Sequence, residues 1–142
     1  LGAASALIGL SEMGGEISGG VLSDRFGRKK AILLGMCLIV AVSAALPFIG
    51  RTSFGAIAGL FLFYLAFEFA DIAIISMMNN LIPEARATLM GANVAAMSLG
   101  RMVGNLMAPF LFAVGFWLNS VAAIVLTLLA LVALTRIKEK AG

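Results

Sequence analysis

The sequence holds no histidine, a single cysteine and few charges, and each shortage closes off a class of function. Without histidine there is no imidazole for a metal site or for Ser-His or Cys-His catalysis. Cys37 stands alone in an apolar run, so no disulfide can form within the chain. The reading is therefore of a protein that is not an enzyme and uses no metal and no cofactor. No basic patch is interleaved with exposed aromatics, which argues against nucleic acid as a partner. The scarcity of charge excludes more. Soluble domains average roughly 25% charged and 45–50% apolar residues, against 12% and 62% here. A water-soluble domain of 142 residues could not hide that much apolar surface. Lipid is the solvent that fits.

What is present is a series of long apolar runs. Crossing the hydrocarbon as a helix takes roughly 20 such residues, and five segments qualify, at about 1–22, 31–49, 54–81, 87–114 and 117–134. They predict an all-α, polytopic transmembrane bundle whose few-residue connections make neighbouring helices antiparallel. The chain enters at Leu1 directly into the apolar stretch Leu1–Leu10, without a methionine or a basic signal-peptide region, and reads as a piece of a longer polypeptide.

Loop charges orient the spans. Arg25, Arg28, Lys29 and Lys30 share one side with Arg86, Arg136, Lys138 and Lys140, whereas Arg51 is alone on the other. Basic loops stay inside, so 23–30, 83–87 and the tail 135–142 are expected in the cytoplasm, with Gly50–Ser53 and Gly115 outside. Trp117, at an outer helix end, suits an interfacial anchor. Small residues four apart mark close helix contacts, because packing rather than hydrophobicity drives association in lipid. Such pairs are Gly15 with Gly19, and Gly55 with Gly59, and Gly100, Gly104 and Ala108 continue the pattern.

The most specific string is Gly20-Val21-Leu22-Ser23-Asp24-Arg25-Phe26-Gly27-Arg28-Lys29-Lys30. Gly20 permits tight packing, Asp24 can cap a helix or pair with an arginine, and Gly27 allows a sharp turn. Arg28-Lys29-Lys30 pins the segment to the anionic inner leaflet. The string resembles the G-x-x-x-D-R-x-G-R-[KR]-[KR] loop of major facilitator superfamily (MFS) transporters, with Gly20, Asp24, Arg25, Gly27, Arg28, Lys29 and Lys30 all matching. The resemblance extends to the five spans, which correspond to helices two to six or eight to twelve of that family, an incomplete six-helix half. Pro83-Glu84-Ala85-Arg86-Ala87-Thr88, leading into Gly91-Ala92-Asn93 and Leu99-Gly100-Arg101, is similar to the loop and helix after the fourth helix of such a half. The stretch Gly104-Asn105-Leu106-Met107-Ala108-Pro109 lacks the Gly-Pro-x-x-Gly-Gly signature of drug–proton antiporters. That departure favours the C-terminal half, helices eight to twelve. By this resemblance Asp24, Arg25 and Arg28 are gating residues that lock the inner gate, or residues that only set topology; both readings stand.

Ionisable groups inside spans are costly and mark function or pairing. Glu12 and Glu16 share a face of the first span; Glu68 and Asp71 lie three apart in the third; Arg101 is midway along the fourth, on a stripe with Asn93 and Asn105. Four acids exceed what one arginine can neutralise, so protons are the expected means of neutralising the rest. Glu68, Asp71, Asn93 and Arg101 are the candidates for substrate or proton coupling, with an ion pair between Arg101 and Glu68 or Asp71 preferred to direct substrate contact. Glu12 and Glu16 could instead support the motif loop. Asn79 and Asn80 read as helix-end caps.

The resemblance implies a secondary transporter that moves a small solute by alternating access, with proton-coupled efflux as its mode. The expected partners are membrane lipid, the missing half of the transporter, the small-molecule substrate and protons. The expected location is a bacterial inner membrane, with the C-terminus cytoplasmic. The competing reading is a structural subunit of a larger membrane complex, derived from a half-transporter.

Overall fold

A computed structural model of the chain describes residues 2–136, apart from the side chains of Ala3 and Ala4; Lys138 and Lys140 of the tail lie outside the described residues. Five long helices follow one another: α1 (Gly2–Phe26), α2 (Arg28–Ile49), α3 (Ser53–Leu81), α4 (Arg86–Val114) and α5 (Phe116–Arg136), with a single 3₁₀ turn, Pro83–Ala85, before α4. No strand occurs among the described residues, and the chain is an all-α bundle. At 1.5 Å per residue, α3 and α4 are each about 43 Å long, well over the ~30 Å hydrocarbon core.

The connections are shorter than the sequence suggested. The motif was expected as a loop over 20–30, but α1 continues through Asp24, Arg25 and Phe26, and α2 begins at Arg28. Gly27 alone lies outside a helix, at φ +89°, a conformation closed to most side chains. The turn is therefore a hinge of one residue. Asp24 does not cap α2, which has no side-chain cap; the first bond of that helix is donated by the Ala31 N–H to the Gly27 carbonyl. At the opposite end, Thr52 caps α3 by accepting from the Gly55 N–H at 3.1 Å, and the Gly50 N–H closes α2 on the Leu46 carbonyl. Pro47 does not end α2, which continues through Ile49.

The α3 helix is the hub, packed most extensively on α1 and α2, while α5 lies against α2. Its buried face carries Ala66, Phe69, Ala70, Ala73 and Met77. Against these sit Ala31, Ile32, Met36 and Ile39 of α2 and Leu134 of α5. Small residues set these distances. A Cβ built on Gly15 would lie 2.6 Å from the Leu65 carbonyl oxygen, and one on Gly19 would lie 2.8 Å from that of Phe69. On α2, a Cβ at Gly35 would meet the Ala70 methyl at 2.8 Å, and one at Gly59 of α3 would meet Leu46 at the same distance. Gly100 and Gly104 behave differently, with nothing of the described chain within 4 Å. No residue of α4 is buried, so the packing expected along that stripe is not made among the described residues.

Four of the five helices are long and apolar enough to cross a membrane: α2, α3, α4 together with its lead-in turn, and α5. The fifth expected span, α1, is long enough at 25 residues, but Glu12, Glu16 and its glycines and serines dilute its apolar character. It lies along α3 through Gly15 and Gly19.

Candidate functional site

Two groups of polar side chains stand out against the apolar bundle. The first gathers at the end that carries the motif. Arg28, the first residue of α2, donates from Nε to the Ser76 hydroxyl of α3 at 3.1 Å. One turn on, the Asn80 side chain donates to the Ser76 carbonyl at 2.8 Å, a further bond near the end of α3. Asn79 accepts from Arg86 Nε at 2.9 Å, which fastens the start of α4 to the end of α3. The two asparagines expected as helix-end caps thus divide the work, one holding its own helix and the other the next. Among the described residues no ion pair forms between Asp24 and either Arg25 or Arg28. Asp24, Arg25 and Gly27 are exposed, Gly20, Arg28 and Lys29 are half-buried, and Lys30 is exposed at the edge of a small apolar pocket with Phe26 and Leu34.

The second group lies midway along the helices. Glu68 of α3 sits at the contact with α1, where a Cβ on Gly15 would touch its own Cβ at 2.8 Å. Gly15 lies between Glu12 and Glu16, so the close approach that this glycine permits brings three carboxylates to one seam. The charge of Glu68 is felt together with those of Asp71, Glu12, Glu16 and Arg101, and Asp71 also lies within electrostatic reach of Arg101. Side chains scattered over 90 positions therefore converge from α1, α3 and α4. Arg101 is exposed and forms no ion pair with either acid among the described residues, although its charge reaches both. The direct pair expected from the sequence is not made. Asn93 stays apart from the group, and its amide donates to the sulfur of Met97, one turn along α4, at 3.7 Å. The described residues hold no cluster of carboxylates and thiols that could bind a metal ion.

Two cavities open in the bundle, one of which reaches this group at Asp71. One of about 580 Å³ lies toward the Arg51 end, among α2, α3, α5 and the end of α4. The other, of about 320 Å³, is bounded by Asp71 and Thr127 among apolar residues of α2, α3 and α5. Phe63 and Ala123 border both.

Charged residues converging inside an apolar helical bundle, one end closed by a basic glycine hinge, form a pattern that known sequences can place. The sequence profile of the Major Facilitator Superfamily matches residues 1–142. The chain belongs to the Major Facilitator Superfamily. An uncharacterized MFS-type transporter of Bacillus subtilis (strain 168), YceJ, is 33% identical over 112 residues, 79% of this chain. The match covers 28% of that relative, so the chain spans well under half of its length. No solved structure matches. Membership in this superfamily, with four apolar helices long enough to span, makes the chain a multi-pass integral membrane protein. It points to a transporter rather than an enzyme.

Sequence reasoning overlooked two serines of this MFS chain, Ser76, which receives the motif arginine, and Ser43; Phe63, one of the aromatics that crowd α3 and were expected mostly to face lipid or neighbours, borders both cavities. The Ser43 hydroxyl is fully buried beside the larger cavity and has no partner in the described structure. Both serines are isolated in apolar runs, where an isolated serine signals either a helix contact or a ligand. Choosing between these required the neighbouring helix.

Proposed function

We propose that the protein to which this chain contributes is a secondary active transporter that moves a small solute by alternating access, with proton-coupled efflux as its mode. The observation that carries this reading is the convergence of Glu12, Glu16, Glu68, Asp71 and Arg101 from three helices in a bundle otherwise built of apolar residues. Acidic groups held inside a membrane bundle, facing one cation that they do not touch, suit a site whose charge changes during a cycle. Protonation of a carboxylate would relax its attraction to Arg101, and a rearrangement of α4 against α1 and α3 could follow. Rocking about a midplane site is how such folds alternate access. Asn93, one face along α4, is the remaining lining candidate.

In this reading α1 crosses the bilayer as a fifth span, packed on α3 through Gly15 and Gly19. The motif end lies in the cytoplasm of a bacterial inner membrane and the Arg51 end lies outside, as the loop charges require. The chain is then five helices of a six-helix half, the C-terminal one, working against the other half. Gly20, Asp24, Arg25, Gly27, Arg28, Lys29 and Lys30 form the inner gate. The contact of Arg28 with Ser76 supports a gating role, because it ties the hinge at Gly27 to the helix that carries Glu68 and Asp71.

The test is uptake and efflux by the full-length protein in proteoliposomes with an imposed proton gradient, using a panel of sugars, organic cations, drugs and metabolites. Gradient-dependent flux of at least one solute is expected. Asp24→Asn should lower that flux while leaving expression and insertion near normal, since Asp24 is exposed and unpartnered among the described residues. Wild-type flux in a correctly inserted Asp24→Asn protein would reduce the motif to a topological element. The competing reading, a structural subunit, predicts instead a membrane polypeptide of about this chain's size, with no flux of any solute. The small share of the relative that is matched keeps that reading testable. An immunoblot of the native protein separates the two.

A further inference from the structure

Where α1 meets α2, Leu22 and Phe26 of one helix and Lys30, Ala31 and Leu34 of the next enclose a notch of about 220 Å³. Apart from the Lys30 side chain its lining is apolar, and no residue of α3, α4 or α5 borders it. Phe26 is 63% exposed and Leu34 46%, so the notch opens outward from the bundle. Lys30 stands exposed at its edge and makes no hydrogen bond or ion pair among the described residues. Leu34, Cys37 and Leu38 follow on the same face of α2, four, seven and eight residues on, and all are exposed. At 1.5 Å per residue, Leu34 and Leu38 lie about 6 and 12 Å from Lys30 along the helix. We infer that this notch binds an anionic phospholipid, its phosphate on the Lys30 ammonium and one acyl chain laid past Phe26, Leu34 and Leu38.

The arrangement selects this occupant over others. The cation sits at the helix end and the apolar column runs from it into the span, the order in which a phospholipid presents phosphate and hydrocarbon. A water-soluble partner could meet Lys30 but not Leu38, which lies about two turns into a helix apolar enough to cross a membrane. A further membrane helix, ~10–12 Å across, is too wide for a notch of about 220 Å³. Charge points the same way. Within the motif, Arg25, Arg28, Lys29 and Lys30 stand against a single acid, Asp24, so this end attracts anions. Diffuse attraction of that kind gathers anionic lipid around the whole end, and the notch adds a place for one molecule. Phe26 and Lys30 flank Gly27, the residue between the two helices, so the bound lipid touches both helices across the hinge. Lipid binding here needs only a membrane-embedded chain, and neither transport nor a particular orientation of the motif end.

Photo-capture of lipid by the full-length protein tests this site. The probe is Leu38→benzoylphenylalanine, placed below the notch rather than in its wall. The protein is reconstituted in vesicles of equal parts phosphatidylglycerol and phosphatidylcholine with the same acyl chains. The probe reacts with either lipid alike, so the ratio of the two adducts reports which one occupies the notch. The expected preference for phosphatidylglycerol is about fivefold, the equivalent of the ~1 kcal/mol that one lysine contributes at an anionic surface. Lys30→Gln should return the ratio to that of the vesicle. Arg25→Gln, which removes an exposed cation that does not line the notch, should leave most of the preference. Adducts in the vesicle's own ratio without either change would overturn the inference, as would a preference that survives Lys30→Gln. A preference lost equally with Arg25→Gln would belong to the diffuse basic surface and would overturn the site as well. So would adducts to protein segments in place of lipid. None of these readouts requires transport, so failure here and failure of the transport assay remain distinguishable.

Discussion

Gly15→Leu is expected to unseat α1 from α3 and to leave little folded protein. Even a single added carbon would lie 2.6 Å from the Leu65 carbonyl oxygen, 2.8 Å from the Glu68 Cβ and 3.1 Å from the Phe69 nitrogen. Two of those three atoms are backbone of the hub helix, which cannot rotate away as a flexible side chain could. Overpacking costs about 1–3 kcal/mol where neighbours can adjust, and here α1 would have to move bodily. In lipid no hydrophobic force would hold the separated helices together, since close packing is what binds them. The expected result is a large drop in detergent melting temperature and in membrane yield. Gly15→Ala should show the same effect in weaker form. Gly9→Leu, on the same helix with nothing of the described chain within 4 Å, should be far milder. Equal stability of the leucine variants at positions 9 and 15 would mean that α1 does not pack as described.

Arg101→Ala is expected to lower flux by about tenfold or more while leaving the fold largely intact. Arg101 is exposed and touches none of the acids, so its loss creates no cavity and breaks no direct ion pair. What disappears is the one positive charge whose field reaches Glu68 and Asp71. At contact distance, such an interaction is worth roughly 1 kcal/mol in water and about 4 kcal/mol at an effective dielectric of ~20. Without direct contact the interaction is weaker than that, and ~1.4 kcal/mol already corresponds to a tenfold change in rate. Neutralising one acid should offset the imbalance, so Glu68→Gln or Asp71→Asn in the Arg101→Ala background should raise the melting temperature toward wild type. Flux should not recover, because the coupling group would be lost as well. If Arg101→Ala transports normally and neither second change alters stability, the five residues do not act as one group.

Much of the fold was legible from where apolar runs stop. Helices α2, α3, α4 and α5 begin and end within three residues of the runs that predict them, because glycine, proline or charge interrupts each run. The motif turn was misjudged for a physical reason. Asp24, Arg25 and Phe26 look like loop residues by charge, yet a helix end leaving the hydrocarbon tolerates charge as well as a loop does, and only Gly27 breaks it. The contact through Gly15 and Gly19 was visible as spacing, since a stripe of small residues reports close approach whatever the partner. The identical stripe at Gly100 and Gly104 meets nothing in the described chain. Spacing reveals that a face is made for contact and not which helix takes it. The charged group shows the same division: membrane cost singled out Glu12, Glu16, Glu68, Asp71 and Arg101 one by one. Their convergence, and the absence of the expected ion pair among the described residues, depend on how three helices cross. Ser76 escaped notice because a lone serine in an apolar run carries no signal until Arg28 is beside it.

Cysteine labelling in intact cells tests the membrane arrangement most directly. The pair to compare, in a full-length Cys37→Ala background, is Ser53→Cys at the start of α3 and Glu84→Cys in the turn before α4; both positions are exposed. Ser23, in the motif itself, is unsuitable because at 2% exposure it would be silent from either side. A membrane-impermeant maleimide should label position 53 in intact cells, and position 84 only after the membrane is opened. Labelling of 84 from outside with protection of 53 would reverse the bundle, remove the motif from the cytoplasm and contradict its role as an inner gate.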